Sequence, residues 1–414
     1  MAWSPGEQWR RTHERAAMLA AFLIVWPTSF AELGVIPLWI VAGVRWRVTA
    51  ERTAALWRDP AVRLLAAWGA WMALSLAWSP DRDEGLQELA QLRWLALLWP
   101  ITLVTEARPR IVAALLAGFA TGHLVQIANA IALQGLAPEF LRFNRAPDRI
   151  SGWWDPAVSG VLLTAALGAH LALALWSAGR LRLVGAIGSV VTLVALLATG
   201  ARGGWIASAA LLALAGALAL YRGRRSAATL GTIAAAAIAI GVTAFAMRGL
   251  IASRFDEART AVAAAIDEQD YDSDTGTRIL MKIVAVDAFA SAPIHGLGAG
   301  GFIDAWRREL EGSGSTRIHG HAHDTPLHLL ATQGAVGFAM LATGAGWILI
   351  RAWRRSETGL DAAPRLALVG VLLCAPFDAL TASTHSAAIS GLLLALAWRP
   401  PPVNSSRQQD SGGG

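Results

Sequence analysis

Lysine is almost missing from this sequence. Lys282 is the only one in 414 residues, although the chain carries 35 basic side chains; the others are arginine. Cysteine is as scarce. Cys374 stands alone in an apolar run, so there is no disulfide framework. Charge of either sign is thin: Asp, Glu, Lys and Arg make up 15% of the chain, where a soluble domain carries about 25%. What is abundant is apolar. The chain is 55% hydrophobic, with a mean hydropathy of +0.46. These shortages exclude a soluble enzyme and a secreted disulfide scaffold and leave an all-α polytopic membrane protein. In such a chain the net charge of +6 is a topology signal before it is a hint of anionic partners, and it gives no reason to invoke nucleic acid.

Twelve apolar segments are expected to span the bilayer, where roughly 20 helical residues are needed. They lie near Ala16–Phe30, Gly34–Val44, Ala61–Trp78, Leu92–Val104, Ile111–Leu133, Ala157–Ala178, Leu183–Thr199, Trp205–Tyr221, Ala227–Met247, Pro326–Ile350, Leu366–Leu380 and His385–Trp398. With an uncleaved first helix and the N-terminus inside, the inside segments carry 21 arginines and the short outside loops 6. This is the asymmetry expected of cytoplasmic loops. Residues 248–325 then form a long outward loop with short helices. They follow nine spans in 1–247 and precede three more in 326–398. The polar stretch 399–414 reads as a disordered inside tail. Of 19 tryptophans, Trp78, Trp94, Trp153 and Trp154 fall near span ends, where they are expected to anchor in the membrane interface.

The polar residues gather on the outward side. In "RIHGHAHDTPLH", Arg317–His328, stand four of the nine histidines, His319, His321, His323 and His328. Three readings stay open: a zinc site, which would need convergent ligands; a general base, since neutral imidazole suits that role near pH 7; and a polar junction without chemistry. Asp324 or Thr325 is placed to cap the following helix, with Pro326 in its first turn. Asp324 could also orient a histidine, but the cap is favoured. Gly296, Gly298 and Gly301 spell G-x-G-x-x-G, yet no βαβ unit surrounds them, so a tight turn is expected, with an anion nest as the alternative. Arg202 occupies a very short outward loop, "ATGARGGW", where an unpaired cation is costly. Arg278 opens a helix in the long loop. Two guanidinium forks on one face suit a diphosphate. His123, Gln126, Asn129, His170 and Asp378 lie inside spans and are expected chiefly to make inter-helix hydrogen bonds, with the lining of a cavity as the alternative.

Three stretches resemble the O-antigen ligase and polymerase superfamily of membrane glycosyltransferases. "HDTPLHLLATQGAVG" gives His323, a polar residue, nine residues, Gly334, two residues and Gly337. Asp324 departs from the Asn, Ser or Gln usual in the second place. "TGARGGW" is similar to the family's short arginine loop, and "TRILMKIVAVDAFASAPIHGLGAGGF" to its arginine-led helix and glycine turn. The resemblance implies a GT-C type enzyme working at the periplasmic face of a Gram-negative inner membrane, with both termini cytoplasmic. The implied donor is a glycan on undecaprenyl pyrophosphate. For a ligase, the acceptor is a hydroxyl of lipid A–core. No cofactor and no metal is implied. By the same resemblance His323 is the base and Arg202 and Arg278 hold the pyrophosphate, with Asp324 and His321 as supporting candidates. One displacement would invert the anomeric carbon. The rivals are an O-antigen polymerase, a protein O-oligosaccharyltransferase and, from a different class, a lipid-linked glycan transporter. Transporters tend to show internal repeats, and none is evident here.

Overall fold

The computed structural model describes residues 5–143, 149–222, 231, 234, 237–238, 241–242, 244–311, 319–353 and 358–399. Among the described residues the structure is helical, without strands. Chain order is α1 (Pro5–Leu23), α2 (Thr28–Val44), α3 (Ala50–Trp57), α4 (Pro60–Ser75), α5 (Arg82–Ala90), α6 (Leu92–Leu95), α7 (Leu98–Thr102) and α8 (Arg108–Leu133). Then follow α9 (Pro156–Trp176), α10 (Gly179–Ala198), α11 (Arg202–Tyr221), α12 (Arg248–Ala263), α13 (Asp274–Ser291), α14 (Gly301–Leu310), α15 (Thr325–Trp353), α16 (Gly359–Leu373) and α17 (Thr384–Ala397).

By length and composition six of these are able to cross a membrane: α8 with its preceding turn, α9, α10, α11, α15 and α16, the last extended to Phe377. Two shorter ones, α2 and α17, are also apolar. Three expected spans look different. The first breaks at Pro27, which has no N–H to continue α1, so Phe30 belongs to α2. The expected span Leu92–Val104 is not one helix but α6, α7 and the 3₁₀ turn Thr105–Ala107. Ala227–Met247 lies largely outside the described residues, as does the tail beyond Arg399.

The bundle is organised around α9. Every residue from Ser159 to Trp176 is buried, as expected of a helix that is apolar all round. It packs against α10, α11 and α16. A Cβ on Gly168 would stand 2.3 Å from the Leu366 carbonyl oxygen, so only glycine lets α9 and α16 approach this closely. Polar residues inside the bundle pair across helices as expected. Thr192 Oγ1 lies 3.0 Å from His123 Nε2 and 3.1 Å from His170 Nδ1, and Gln126 donates to the Ile150 and Ala195 carbonyls. The tryptophan expectation fares worse. Trp94 and Trp154 are buried, and Trp78 donates its indole N–H to the Gly296 carbonyl. Trp94 and Trp154 thus fill protein.

The long loop is not a separate body. Met281, Val284, Ala285 and Ala288 of α13 and Phe302 and Trp306 of α14 form one apolar cluster with Ala322 and Ala331. That cluster takes in the first turns of α15. At Gly334 α15 breaks, with φ 65° and ψ −172°. Before the break it is largely buried in protein; after it, partly exposed apolar residues such as Trp347 and Ile350 begin. The 20 residues from Gly334 to Trp353 would span about 30 Å.

Candidate active site

Everything in the site is held at one end of the bundle. Arg202 is the first residue of α11, at the tight α10–α11 turn. Its guanidinium donates to the Arg254 carbonyl at 3.0 Å and to Thr275 Oγ1 at 2.8 Å. The short arginine loop is thereby tied to α12 and to the start of α13. Two of its five N–H groups are used in this way. Arg278, one turn further along α13, faces the same cleft, and no described residue pairs with it. The cleft is also lined by Arg149, Asp274, Phe377 and Asp378. Three guanidinium groups around one polar cleft favour an anionic ligand, because guanidinium forks bind such groups through charge-assisted, paired hydrogen bonds.

His323 reaches this cleft through Asp378. The two side chains approach to 4.0 Å, from Nδ1 to Oδ1. That is an electrostatic contact and too long for a hydrogen bond. Asp378 is buried and accepts from Ser386 Oγ at 2.8 Å. Burial raises its pKa, opposed by the Ser386 hydrogen bond and by nearby Arg278. His323 is shifted the other way, to about 2. Burial is the main cause, and the positive fields of His321, Arg278, His319 and His328 add to it. The imidazole is therefore neutral without ligand, and no described group bonds to its Nδ1. His321 stacks edge-on at 4.4 Å between ring centroids and is likewise lowered, to about 4, chiefly by burial. The histidine segment is not extended. His323 has φ 47°, in the left-handed region that residues other than glycine rarely adopt, and this turns its ring toward His321 and His319. Among the described residues no three His, Cys, Asp or Glu side chains group as a metal would require.

Five contacts fix that turn. Asp324 caps α15, accepting from Leu327 N at 3.1 Å, as the sequence leads one to expect. Its second oxygen meets Lys282 Nζ at 2.9 Å, and the same ammonium donates to the Pro376 carbonyl at 2.9 Å. Thr325 Oγ1 donates to the Asp378 carbonyl at 2.6 Å and accepts from Leu380 N at 2.7 Å. The segment 374–383 between α16 and α17 is thus a strap fastened to the base of the histidine loop. Lys282 and Asp378 go beyond the site residues foreseen from sequence, as does Arg149. Lys282 had a signal, being the sole lysine among so many arginines. Asp378 had one too, as a carboxylate flanked by apolar runs. Arg149 had none.

The glycine turn has a mechanical role. The break at Gly334 leaves backbone groups of α15 without helical partners. Leu297 N and Gly298 N donate to the Ala331 and Thr332 carbonyls at 2.8 Å each. Ala335 N and Val336 N donate back to Pro293 and Ile294 at 2.9 and 3.2 Å. Trp71 adds a bond to the Gln333 carbonyl at 3.1 Å. The turn 293–300 is a plug in the helix break, which argues against the anion nest: two of its N–H groups are already spent on α15.

Residues 187–342 match the family model described as O-antigen ligase. The matched segment holds Arg202, Arg278, Lys282, His321, His323 and Asp324, and leaves out Arg149 and Asp378. No curated protein matches the chain.

Proposed function

With residues 187–342 assigned to the O-antigen ligase and polymerase family, we propose that the chain is an O-antigen ligase. It acts at the periplasmic face of a Gram-negative inner membrane as a GT-C type glycosyltransferase. The glycan passes from undecaprenyl pyrophosphate to a sugar hydroxyl of lipid A–core in one inverting displacement. One observation carries this reading. Arg202 and Arg278 line a single cleft with Asp378, and Asp378 stands 4.0 Å from His323.

That geometry supports the following roles. The acceptor oxygen attacks the anomeric carbon and its proton goes to His323 Nε2. The bond from the anomeric carbon to the pyrophosphate breaks, and its electron pair stays on the pyrophosphate oxygen. Arg202 and Arg278, with Arg149 beside them, hold that charge, so the step needs no metal. Asp378, 4.0 Å from Nδ1, stabilises the imidazolium electrostatically. A base held near pKa 2 is weak. A bound pyrophosphate offsets the field of Arg278, a smaller cause of the depression than burial, and so shifts His323 upward in the direction a base requires. General-base help is worth roughly 10²–10⁴-fold. Asp324 acts as a helix cap and Lys282 partner, and His321 lends its ring as the neighbour of His323.

A lipopolysaccharide gel from cells lacking the gene, then complemented, tests the reading. Loss of all O-antigen from lipid A–core, with glycan accumulating on the lipid carrier, is expected. A core bearing a single repeat unit would instead assign a polymerase, and an unchanged ladder would sink both.

A further inference from the structure

A cationic notch lies at the opposite end of the bundle from His323. It forms where α1 meets the start of α8 and is lined by Arg10, Arg11, Glu14, Arg15, Met18 and Arg110. Between Arg110 and Gln126 α8 rises about 24 Å. Only there does Gln126 reach the Ile150 carbonyl, next to Arg149 of the arginine cleft. The notch is therefore separate from the active site. The arginine asymmetry puts its end of the bundle on the cytoplasmic side.

A buried carboxylate organises the notch. Glu14 is 3% exposed. It accepts from Arg10 of its own helix and, at 2.9 Å, from Arg110 of α8. Glu7 accepts from Arg10 at 2.6 Å and from Arg11 at 3.2 Å. Four guanidinium groups thus meet two carboxylates, which leaves two positive charges in excess. Arg15 is exposed, and no described residue pairs with it. Arg45 adds to the excess from behind, within electrostatic range of Arg10 and Glu14. It donates to His13 Nδ1 at 2.8 Å. His13 Nε2 faces the Pro100 carbonyl at 3.0 Å, so Nε2 carries the ring proton and the imidazole brings no compensating charge.

Such an excess suits an anion with several oxygens for the guanidinium forks. The surroundings indicate that this anion belongs to a lipid. Leu19, one turn beyond Arg15 on the same face of α1, is 43% exposed, and Met18 lines the notch itself. Apolar side chains thus begin directly beyond the arginines, as at a membrane boundary. Higher up, α1 and α8 close on each other: a Cβ on Gly118 would stand 2.4 Å from the Phe22 carbonyl oxygen. A lipid tail has no passage between the two helices and runs along their outer face.

We infer that the notch binds the phosphate headgroup of an anionic phospholipid from the cytoplasmic leaflet, with the acyl chains outside the bundle against Leu19. Basic pockets between membrane helices on that side suit such headgroups. The bound phosphate joins α1 to α8 through Arg15 and Arg110, beside the Glu14 contact, and stabilises the folded protein by mass action. The inference rests on the proposed orientation, and its test needs no transfer reaction.

The test is binding to the purified full-length protein in detergent, read by native mass spectrometry and by melting temperature. The probes are phosphatidylglycerol, phosphatidylethanolamine and glycerol 3-phosphate. Phosphatidylglycerol is expected to bind, to raise the melting temperature, and to do both more weakly as salt rises. The other two are expected to do neither at equal concentration. Arg15→Gln should weaken phosphatidylglycerol binding about fivefold. Arg15→Gln combined with Arg110→Gln should weaken it about thirtyfold, the scale of one and of two arginines at a membrane surface. The single variant keeps the test decisive if the double one folds poorly, because Arg15 is exposed and has no described partner. Arg58→Gln with Arg63→Gln removes the same charge from exposed positions outside the notch and should leave binding close to wild type. Equal binding of phosphatidylethanolamine, or equal losses in the notch and control variants, would overturn the headgroup site. Stabilisation by glycerol 3-phosphate as large as by phosphatidylglycerol would overturn the lipid assignment in favour of a soluble phosphate.

Discussion

Gly334→Ala tests how the active-site loop is built. At φ 65° and ψ −172° the residue lies in a region that only glycine enters readily. A Cβ there would stand 2.3 Å from the Ile294 carbonyl oxygen, 2.4 Å from its carbon and 2.6 Å from His295 N. All three are backbone atoms of the plug, so none can swing aside as a side chain would. The strain costs about 1–3 kcal/mol. Moving the plug also releases the four exchanged bonds of Leu297, Gly298, Ala335 and Val336, each worth about 1 kcal/mol net. The sum is on the order of 5 kcal/mol, at the extreme of single substitutions. Gly346→Ala is the control on the same helix, because its Cβ would meet nothing within 4 Å and alanine favours helix. Thermal melting in detergent, read beside proteolysis at residues 293–300, should give a large loss for Gly334→Ala and wild-type or better behaviour for Gly346→Ala. Equal melting temperatures for the two variants would refute the plug.

Other consequences concern the site itself. Arg278→Lys keeps the charge but loses the fork, so donor KM should rise while acceptor KM does not; equal effects on both substrates would count against pyrophosphate contact. Lys282→Met removes the tether between Asp324 and the Pro376 carbonyl. It should lower kcat by roughly 10²-fold, the cost of misplacing a catalytic group by about 1 Å, and Lys282→Arg should restore part of it; unchanged kcat in Lys282→Met would mean the tether is idle. Acid should loosen the histidine loop. His323 and His321 are held at about 2 and about 4 when folded, below the unfolded value near 6.5. Their contribution to stability is complete above pH 6.5 and is lost as pH falls, by about 1.4 kcal/mol per unit for each group. Melting temperature should therefore drop between pH 6.5 and 5, and less so in His323→Asn; an identical pH profile for that variant would contradict the assignment.

The apolar runs that make α8 to α11 and α15 to α17 were legible because period and length suffice for a helix buried in lipid or in its neighbours. The cap at Asp324 and the pairing of His123, His170 and Gln126 were legible for similar local reasons. Segments depending on tertiary contact were not. Leu92–Val104 is apolar enough for a span, yet Pro100, which has no N–H for the Ala96 carbonyl, breaks it into α6 and α7. The first half of α15 reads as a membrane helix, but the buried His328, Thr332 and Gln333 pack against the loop. In the site, Arg202, Arg278 and His323 carried motifs. Asp378 and Lys282 act through the strap, and no local pattern tells that residues 374–383 fold back against residue 325. The left-handed turn at His323 is equally non-local, since Lys282 and Thr325 impose it.

The central claim is that His323 is the base and not part of the scaffold. His323→Asn tests it most directly, because asparagine tolerates the left-handed backbone and leaves the fold in place. The measurement is transfer by purified protein from a lipid-pyrophosphate glycan to lipid A–core, with donor binding followed in parallel. Donor affinity close to wild type, with transfer lowered by roughly 10²–10⁴-fold, is the predicted result. Full transfer by His323→Asn would contradict the account.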